Sequence, residues 1–409
     1  MRRQHCLNLV IRSIHLRASL PLNVFCNRVE MNILHISEDE RFADIAMRML
    51  QKFCDNDLWL IGERHQKLLK TEPDKHIPDP STIHAIDISE LAKYDAIILH
   101  SLSKQFYPLI DAAPNYTPII WLGWGYDYYD LIGRNLYLPL THRQFEVSPA
   151  CLKTIPFAPN VISFLKRYKA RKNRRKNLAV KRINFFAPVL KNEYALSSTN
   201  IALPEFIEWK YGDLQNDIFP LPIDHKVNKT QDILLGNSAN KSNNHLDAFA
   251  LLETVDLKNR KIITPLGYGN KNYARLIEKK GGEVFGNNFH GIIDLMPLQD
   301  YSTMIAQCDY AIMNHLRQQA LGTIIILLYC GTKVFLREEN PLYDFLKSME
   351  IEVATLNDCD DLKENLMTPL SAENQYKNRD IVRQYWSSDA CDQRTRALVE
   401  KIAKHHEDR

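Results

Sequence analysis

From Met31 onward, short apolar runs alternate with helix-length amphipathic segments, and this alternation restricts the fold more than any other feature. In the first block Asn32–Ile36, Leu58–Ile61, Ala96–Leu99 and Pro118–Leu122 read as strands, and Ala43–Phe53 carries apolar residues at helical spacing. The second block has strands over Asp232–Leu235, Lys261–Pro265, Glu283–Phe285, Tyr310–Met313 and Lys333–Leu336. Its helices read as Asn244–Val255, with Asn243 or Asn244 as cap, then Asn272–Lys280, Leu298–Cys308, Ala320–Cys330 and Leu342–Met349. Strands separated by helices form parallel, doubly wound sheets covered on both faces. Between the blocks lie a strand at Ile183–Phe186, a turn-rich stretch with Pro204, Pro220 and Pro222, and the polar segment Asp224–Gln231, where the domain boundary is placed.

The resulting division is an extension over 1–30, a first domain over 31–225, a second over 226–385, and a C-terminal helix over 386–409 that returns to the first domain. The chain of 409 residues is long enough for two such domains. Residues 1–30 contain five arginines and no continuous apolar core, so they do not read as a secretory signal. Met31 runs straight into a strand and reads as a fresh start, with the upstream stretch a disordered or mis-assigned extension, or else a basic amphipathic arm. The eight cysteines form no CxxC pair and no zinc spacing, which points to reduced thiols in a cytoplasmic protein. No apolar run approaches the ~20 residues of a membrane span.

Charge is unevenly distributed. Lys166, Arg167, Lys169, Arg171, Lys172, Arg174, Arg175, Lys176, Lys181 and Arg182 form a block without an acid; setting its +10 against the net +3 leaves −7 elsewhere. Such a block reads as a surface for anionic lipid, where each cation adds roughly 1 kcal/mol, as a nucleic-acid contact, or as a solvated helix. The scarcity of stacking aromatics favours lipid, with Lys166 to Lys176 as the membrane-binding residues.

Three segments of the second block follow strands, where open α/β sheets bind ligands. Gly236-Asn237-Ser238, leading through Ser242 and Asn243 to His245, has the strand, small polar loop, helix order of a phosphate or sugar cradle, and equally of a well-capped turn. Pro265-Leu266-Gly267-Tyr268-Gly269 is half a dinucleotide fingerprint, but Asn272 stands where the third glycine belongs, which disfavours NAD. Arg317-Gln318-Gln319 with Gly322-Thr323 opens a very apolar helix and suits a pyrophosphate. Glu339 and Asn340, after the next strand, either hold ribose hydroxyls or cap a helix. In the first block Trp121–Asp130 is dense in aromatics: Trp124, Gly125 and Tyr129 suit a sugar acceptor, Asp127 a general base, and His100 its substitute.

In this order the motifs resemble the TDP-Fuc4NAc transferases of enterobacterial common antigen synthesis. The resemblance is best over Asp232–Asp344, where Leu235–Ser238, Ser242-Asn243, His245, Pro265, Gly267-Tyr268, Arg317–Gln319, Gly322-Thr323, Arg337-Glu338 and Asn340-Pro341 match. It is weaker earlier, where His100, Trp124-Gly125, Asp127, Tyr129 and Leu131 fit. It implies an α/β fold of GT-B type, two Rossmann-like domains facing across a cleft. It further implies a metal-independent glycosyltransferase without cofactor, peripheral on the cytoplasmic face of the bacterial inner membrane. The partners implied are a dTDP-sugar donor, an undecaprenyl-diphosphate-linked saccharide acceptor and an anionic membrane surface, with no nucleic acid. The donor residues carried over are Gly236, Asn237, Ser238, Pro265, Gly267, Tyr268, Arg317, Gln318, Gln319, Gly322, Thr323 and Asn340, to which the carboxylate Glu339 is added from its place after the strand. The rivals are a transferase using another nucleotide sugar in O-antigen or capsule assembly, and a non-catalytic nucleotide-sugar-binding scaffold.

Overall fold

The computed structural model describes residues 28–64, 68–145, 173–197, 201–220, 227–366 and 368–407. They build two all-parallel sheets. The first contains β1 (Asn32–Ser37), β2 (Asp55–Ile61), β3 (Lys75–Ile77), β4 (Ala96–His100), β5 (Ile119–Leu122), β6 (Phe185–Ala187) and β7 (Glu205–Phe206), in the order β3-β2-β1-β4-β5-β6-β7. The second contains β8 (Thr230–Leu235), β9 (Ile262–Pro265), β10 (Phe289–Ile292), β11 (Cys308–Met313), β12 (Lys333–Leu336) and β13 (Ala354–Thr355), in the order β10-β9-β8-β11-β12-β13. Helices cover both faces, so central strands such as β4 and β5 are buried throughout and read as unbroken apolar runs.

In each sheet the strand order reverses once, between β1 and β4 and between β8 and β11. Loops leaving adjacent strands at such a reversal diverge to opposite faces and leave a crevice at the carboxyl ends. The segments after β8 and β11 are the Gly236 loop and Asn314–Thr323, so the topology alone brings those two motifs together.

The chain passes between the halves at Trp209–Leu214. Trp209 is buried in the first core, Leu214 and Phe219 pack into the second, and the Lys210 amine lies 4.3 and 4.6 Å from the Phe345 and Tyr385 rings. The final helix, Ser388–Glu407, lays Cys391, Leu398, Val399 and Ile402 onto the first sheet. A second tie runs through the loop after β5. Leu138 N donates to Asn244 Oδ1 (3.0 Å), and Leu140 N and Thr141 N donate to the Asp247 carboxylate (2.8 and 2.9 Å). Asp247 thus caps the helix Pro139–Phe145 from the opposite half.

Two sequence expectations change here. Glu283–Phe285 is not a strand but the last turn of the helix Lys271–Phe285, and the strand beside β9 is Phe289–Ile292. The helix runs through Gly281 because the Phe289 ring occupies the place of a side chain there, 2.4 Å from where a Cβ would sit. Asn244 precedes the helix His245–Leu252, but its side chain makes no cap; it binds Leu138 N, Leu136 O and Asn314 O instead.

Candidate active site

The second-half wall is a buried network of neutral polar side chains. Gly236 leaves β8 with φ +65°, and a Cβ there would lie 2.6 Å from Asn243 Oδ1 and 3.0 Å from His245 Nε2. That oxygen has no freedom to yield, since it accepts from Asn237 N (3.1 Å) and pairs with His315 Nε2 (2.8 Å). Gln319 closes the network, donating to Asn237 Oδ1 (2.9 Å) and accepting from Ser242 Oγ. Residues 237 and 319, 82 positions apart, are therefore in contact, and the Gly236 loop and Arg317 turn form one surface. The helix Leu321–Tyr329 starts there without a side-chain cap, and a Cβ placed on Gly322 meets nothing within 4 Å.

Arg317 stands at this helix start, half-buried. Among the described residues no carboxylate lies within ion-pair distance of it; its contacts are the face of Tyr129 (6.0 Å to the ring centroid) and a long 3.5 Å approach to Gln318 O. Burial pulls its pKa down and the acidic groups Tyr129 and Glu193 push it back up; a guanidinium stays charged in proteins. A charged side chain with most of its donors uncommitted, beside a free helix N-terminus, is built to receive an anion. A hollow of about 490 Å³ opens alongside, lined by Leu316, Glu339 and the loop Arg134–Pro139.

The first-half wall is the turn after β5. Gly125 (φ +92°) packs against Gln318 and Arg317, with 3.1 Å from its Cβ position to Gln318 Oε1. Trp124 is half-buried against Phe42 (5.2 Å between ring centroids), while Tyr126 is exposed at the rim. Tyr268 of the second half, also exposed, comes within electrostatic reach of Glu40 and Arg41. The run Glu38-Asp39-Glu40 follows β1 into the same crevice. Glu40 acts electrostatically on both Tyr126 and Tyr268, and its own pKa is raised, first by burial and then by Glu38 and Asp39.

Several sequence assignments are corrected by this geometry. Asp127 does not present a free carboxylate: Oδ1 accepts from Trp124 N (2.8 Å), and Oδ2 accepts from Leu102 N (2.9 Å) and Trp121 Nε1 (2.7 Å), with only 4% of the residue exposed. It holds the aromatic turn in shape. His100 is likewise enclosed. Asn56 Nδ2 donates to Cys54 O, which leaves Asn56 Oδ1 to accept from His35 Nε2 (3.0 Å); His35 Nδ1 then accepts from His100 Nε2 (3.0 Å), and His100 Nδ1 accepts from Tyr211 (2.8 Å). Burial keeps both rings neutral by lowering their pKa values, that of His35 to about 4. Tyr129 is buried at the junction of the halves rather than lining an acceptor cleft, its hydroxyl accepting from Gln318 N (2.7 Å).

On the donor side, Gly267 is small because the Asp294 carbonyl packs on it, 2.4 Å from where a Cβ would be. Pro265 ends β9 within the sheet. Thr323 faces Tyr301 (3.2 Å between the oxygens), Asn340 Oδ1 caps the helix Pro341–Ser348, and Glu339 offers its main-chain carbonyl to Arg134 (3.1 Å). Of the residues assigned to the donor from sequence, Gly236, Asn237, Ser238, Arg317, Gln318, Gln319 and Gly322 converge on one surface.

Of the basic block, Lys166, Arg167, Lys169, Arg171 and Lys172 lie outside the described residues. Arg174 and Arg175 are exposed on the helix over 173–182. Lys176 is instead turned inward, where its ammonium binds Asp127 O (2.5 Å) and Asp130, which removes it from any membrane-facing set. No helix among the described residues is long and apolar enough to cross a membrane.

With this geometry in place, comparison with known proteins is decisive for the class. Residues 213–398 match the family described as 4-alpha-L-fucosyltransferase, glycosyl transferase group 56. The match begins where the chain enters the second core and takes in all of these converging residues. Anabaena Alr3699/HepE, solved with UDP and glucose, is similar with a TM-score of 0.59 at 11% identity over 92% of this chain and 100% of its own. Sucrose-phosphate synthase from Thermosynechococcus elongatus gives 0.56 at 12% over 92% and 100%. AviGT4, a glycosyltransferase of avilamycin A biosynthesis, gives 0.51 at 11% over 93% and 99%. At such identities the likeness shows the fold, which is GT-B; the family match makes the protein a glycosyltransferase.

Proposed function

We propose that this glycosyltransferase moves a 4-acetamido-4,6-dideoxygalactose-like sugar from a dTDP-sugar onto an undecaprenyl-diphosphate-linked saccharide, at the cytoplasmic face of the bacterial inner membrane. The observation that carries the reading is Arg317: a half-buried cation without a carboxylate partner among the described residues, at the open start of a buried helix and joined to the Gly236 loop. In this reading the donor diphosphate lies between that helix start and the Gly236–Ser238 loop. Arg317 and the free N–H groups stabilise charge as the glycosidic C–O bond breaks and the nucleoside diphosphate leaves.

The acceptor sugar stacks on Trp124 and Tyr126, and its attacking hydroxyl gives its proton to Glu40. A carboxylate with raised pKa in the crevice is better suited to that step than the fully bonded Asp127. The donor sugar and the lipid-linked acceptor follow from the motif resemblance, and the exposed Arg174 and Arg175 are compatible with an anionic membrane surface.

The test is a product assay. Purified protein is incubated with dTDP- and UDP-sugars and undecaprenyl-diphosphate-linked saccharides, and glycosylated lipid is detected by mass spectrometry. Transfer is expected from dTDP-4-acetamido-4,6-dideoxygalactose. Transfer only from UDP-sugars would move the protein to O-antigen or capsule chemistry, and no transfer from any donor would leave the scaffold reading. Glu40→Gln is expected to lower kcat about 10²–10⁴-fold with donor affinity unchanged; a variant with full kcat removes Glu40 as the base.

A further inference from the structure

We propose that Glu193 is a positioning residue for the donor site: acting through Tyr129, it fixes the Arg317–Gln318 turn and gives Arg317 a counter-charge that occupies none of its hydrogen-bond donors. The inference rests on the donor-site reading above and adds a residue that belongs to the other half of the molecule.

Glu193 lies on the helix Lys191–Ser197 and is fully buried. Its Oε1 accepts from Tyr129 OH (2.5 Å), and its Oε2 accepts from Tyr128 OH (2.6 Å) and Leu190 N (3.0 Å). The hydrogen-bond directions are settled. Tyr129 OH accepts from Gln318 N (2.7 Å), so its proton points to Glu193. Tyr128 OH accepts from Val189 N (3.1 Å), so its proton does the same. Each phenol passes the carboxylate's charge outward, and hydrogen bonds in such chains strengthen one another. On the far side of Tyr129 is Arg317, over the ring at 6.0 Å. A direct Glu–Arg pair at this point would take up the guanidinium donors that a diphosphate needs. Reaching the cation through a phenol keeps the charges complementary and the donors available.

The relay depends on an ionised Glu193, because a protonated carboxyl must donate to a phenol and would reverse one of the two bonds. Burial raises the Glu193 pKa to about 7, against the opposing effect of its hydrogen bonds and of Arg317. The titratable or charged groups facing it are Tyr128, Tyr129 and Arg317. From the helix Pro341–Ser348, packed beside it, the contact is neutral, Asn192 Nδ2 donating to Pro341 O (2.8 Å).

The test measures binding of dTDP-glucose and UDP-glucose to the full chain by calorimetry between about pH 6 and pH 8, a range in which their diphosphate diesters keep constant charge. The wild type is expected to bind about tenfold tighter at the alkaline end. Glu193→Gln, which keeps the shape of the side chain, should bind about tenfold more weakly at the alkaline end and lose the pH dependence. Tyr129→Phe should behave likewise and serves if the first variant fails to fold. Wild-type affinity and an intact pH dependence in a folded Glu193→Gln or Tyr129→Phe variant would overturn the proposal. If Arg317→Ala abolishes binding in that same experiment, the donor-site reading survives without it. If neither nucleotide sugar binds the wild type, or Arg317→Ala binds normally, the donor-site reading itself is lost.

Discussion

Replacing Arg317 by alanine is expected to lower kcat/KM for the sugar nucleotide about 10²–10³-fold, the cost of removing one preorganised donor to a developing oxyanion. The expectation follows from what Arg317 does not do. It makes no ion pair among the described residues and caps no helix; its protein contacts are a ring face and one long carbonyl approach. Loss of the side chain therefore leaves few buried partners unsatisfied, and the melting temperature should move by only a few degrees. Function and stability separate at this position. Arg317→Lys should recover part of the activity, because an ammonium supplies charge but not the planar fork that matches two phosphate oxygens. Steady-state kinetics with thermal denaturation of the same samples checks both statements. Full activity in the alanine variant would remove the anion site from the helix Leu321–Tyr329.

The features most legible in the sequence were those that depend on local composition. Parallel strands covered on both faces must be apolar throughout, so β1, β4, β5 and β12 stand out as runs. Strand–loop–helix order with glycine and small polar residues marked the Gly236 loop, and the abrupt change from Asn314–Gln319 to an apolar helix marked Arg317. Edge strands of two or three residues, such as Lys75–Ile77 and Ala354–Thr355, are too short to show a period.

What stayed hidden depends on long-range partners. His100 reads as a substitute base at a strand end because nothing in its neighbourhood reveals His35, which the pairing of β1 with β4 places beside it. Glu193 sits in a segment, Lys191-Asn192-Glu193-Tyr194, that has the composition of a solvated turn. Its burial follows from Tyr128 and Tyr129, more than 60 residues earlier. Lys176 is one of ten cations between Lys166 and Arg182 and is told from its neighbours only by the partners it folds onto, Asp127 O and Asp130.

The same ambiguity explains Asp127, for which a second large effect is expected, of a different kind. An aspartate in an aromatic turn has the same sequence appearance whether it removes a proton or holds the turn together. The geometry decides for the second, since three N–H donors converge on its two oxygens. Asparagine keeps one oxygen and turns an NH2 toward at least one of those donors. A buried group left facing another donor costs about 1–3 kcal/mol, and losing the charge weakens the remaining bonds, so Asp127→Asn should destabilise the protein by about 2–4 kcal/mol. In a protein of this size that lowers the melting temperature by about 2–5 °C. A general base would show itself differently: the variant would remain folded and lose about 10²–10⁴ in kcat at every temperature. At a temperature where Asp127→Asn is fully folded, kcat is therefore expected to remain within about tenfold of wild type. The residual loss would come from the Trp124–Gly125 turn, which Asp127 anchors and which rests against Arg317 and Gln318. A fully folded variant with kcat reduced by three orders of magnitude would return Asp127 to the role of base and displace Glu40 from it.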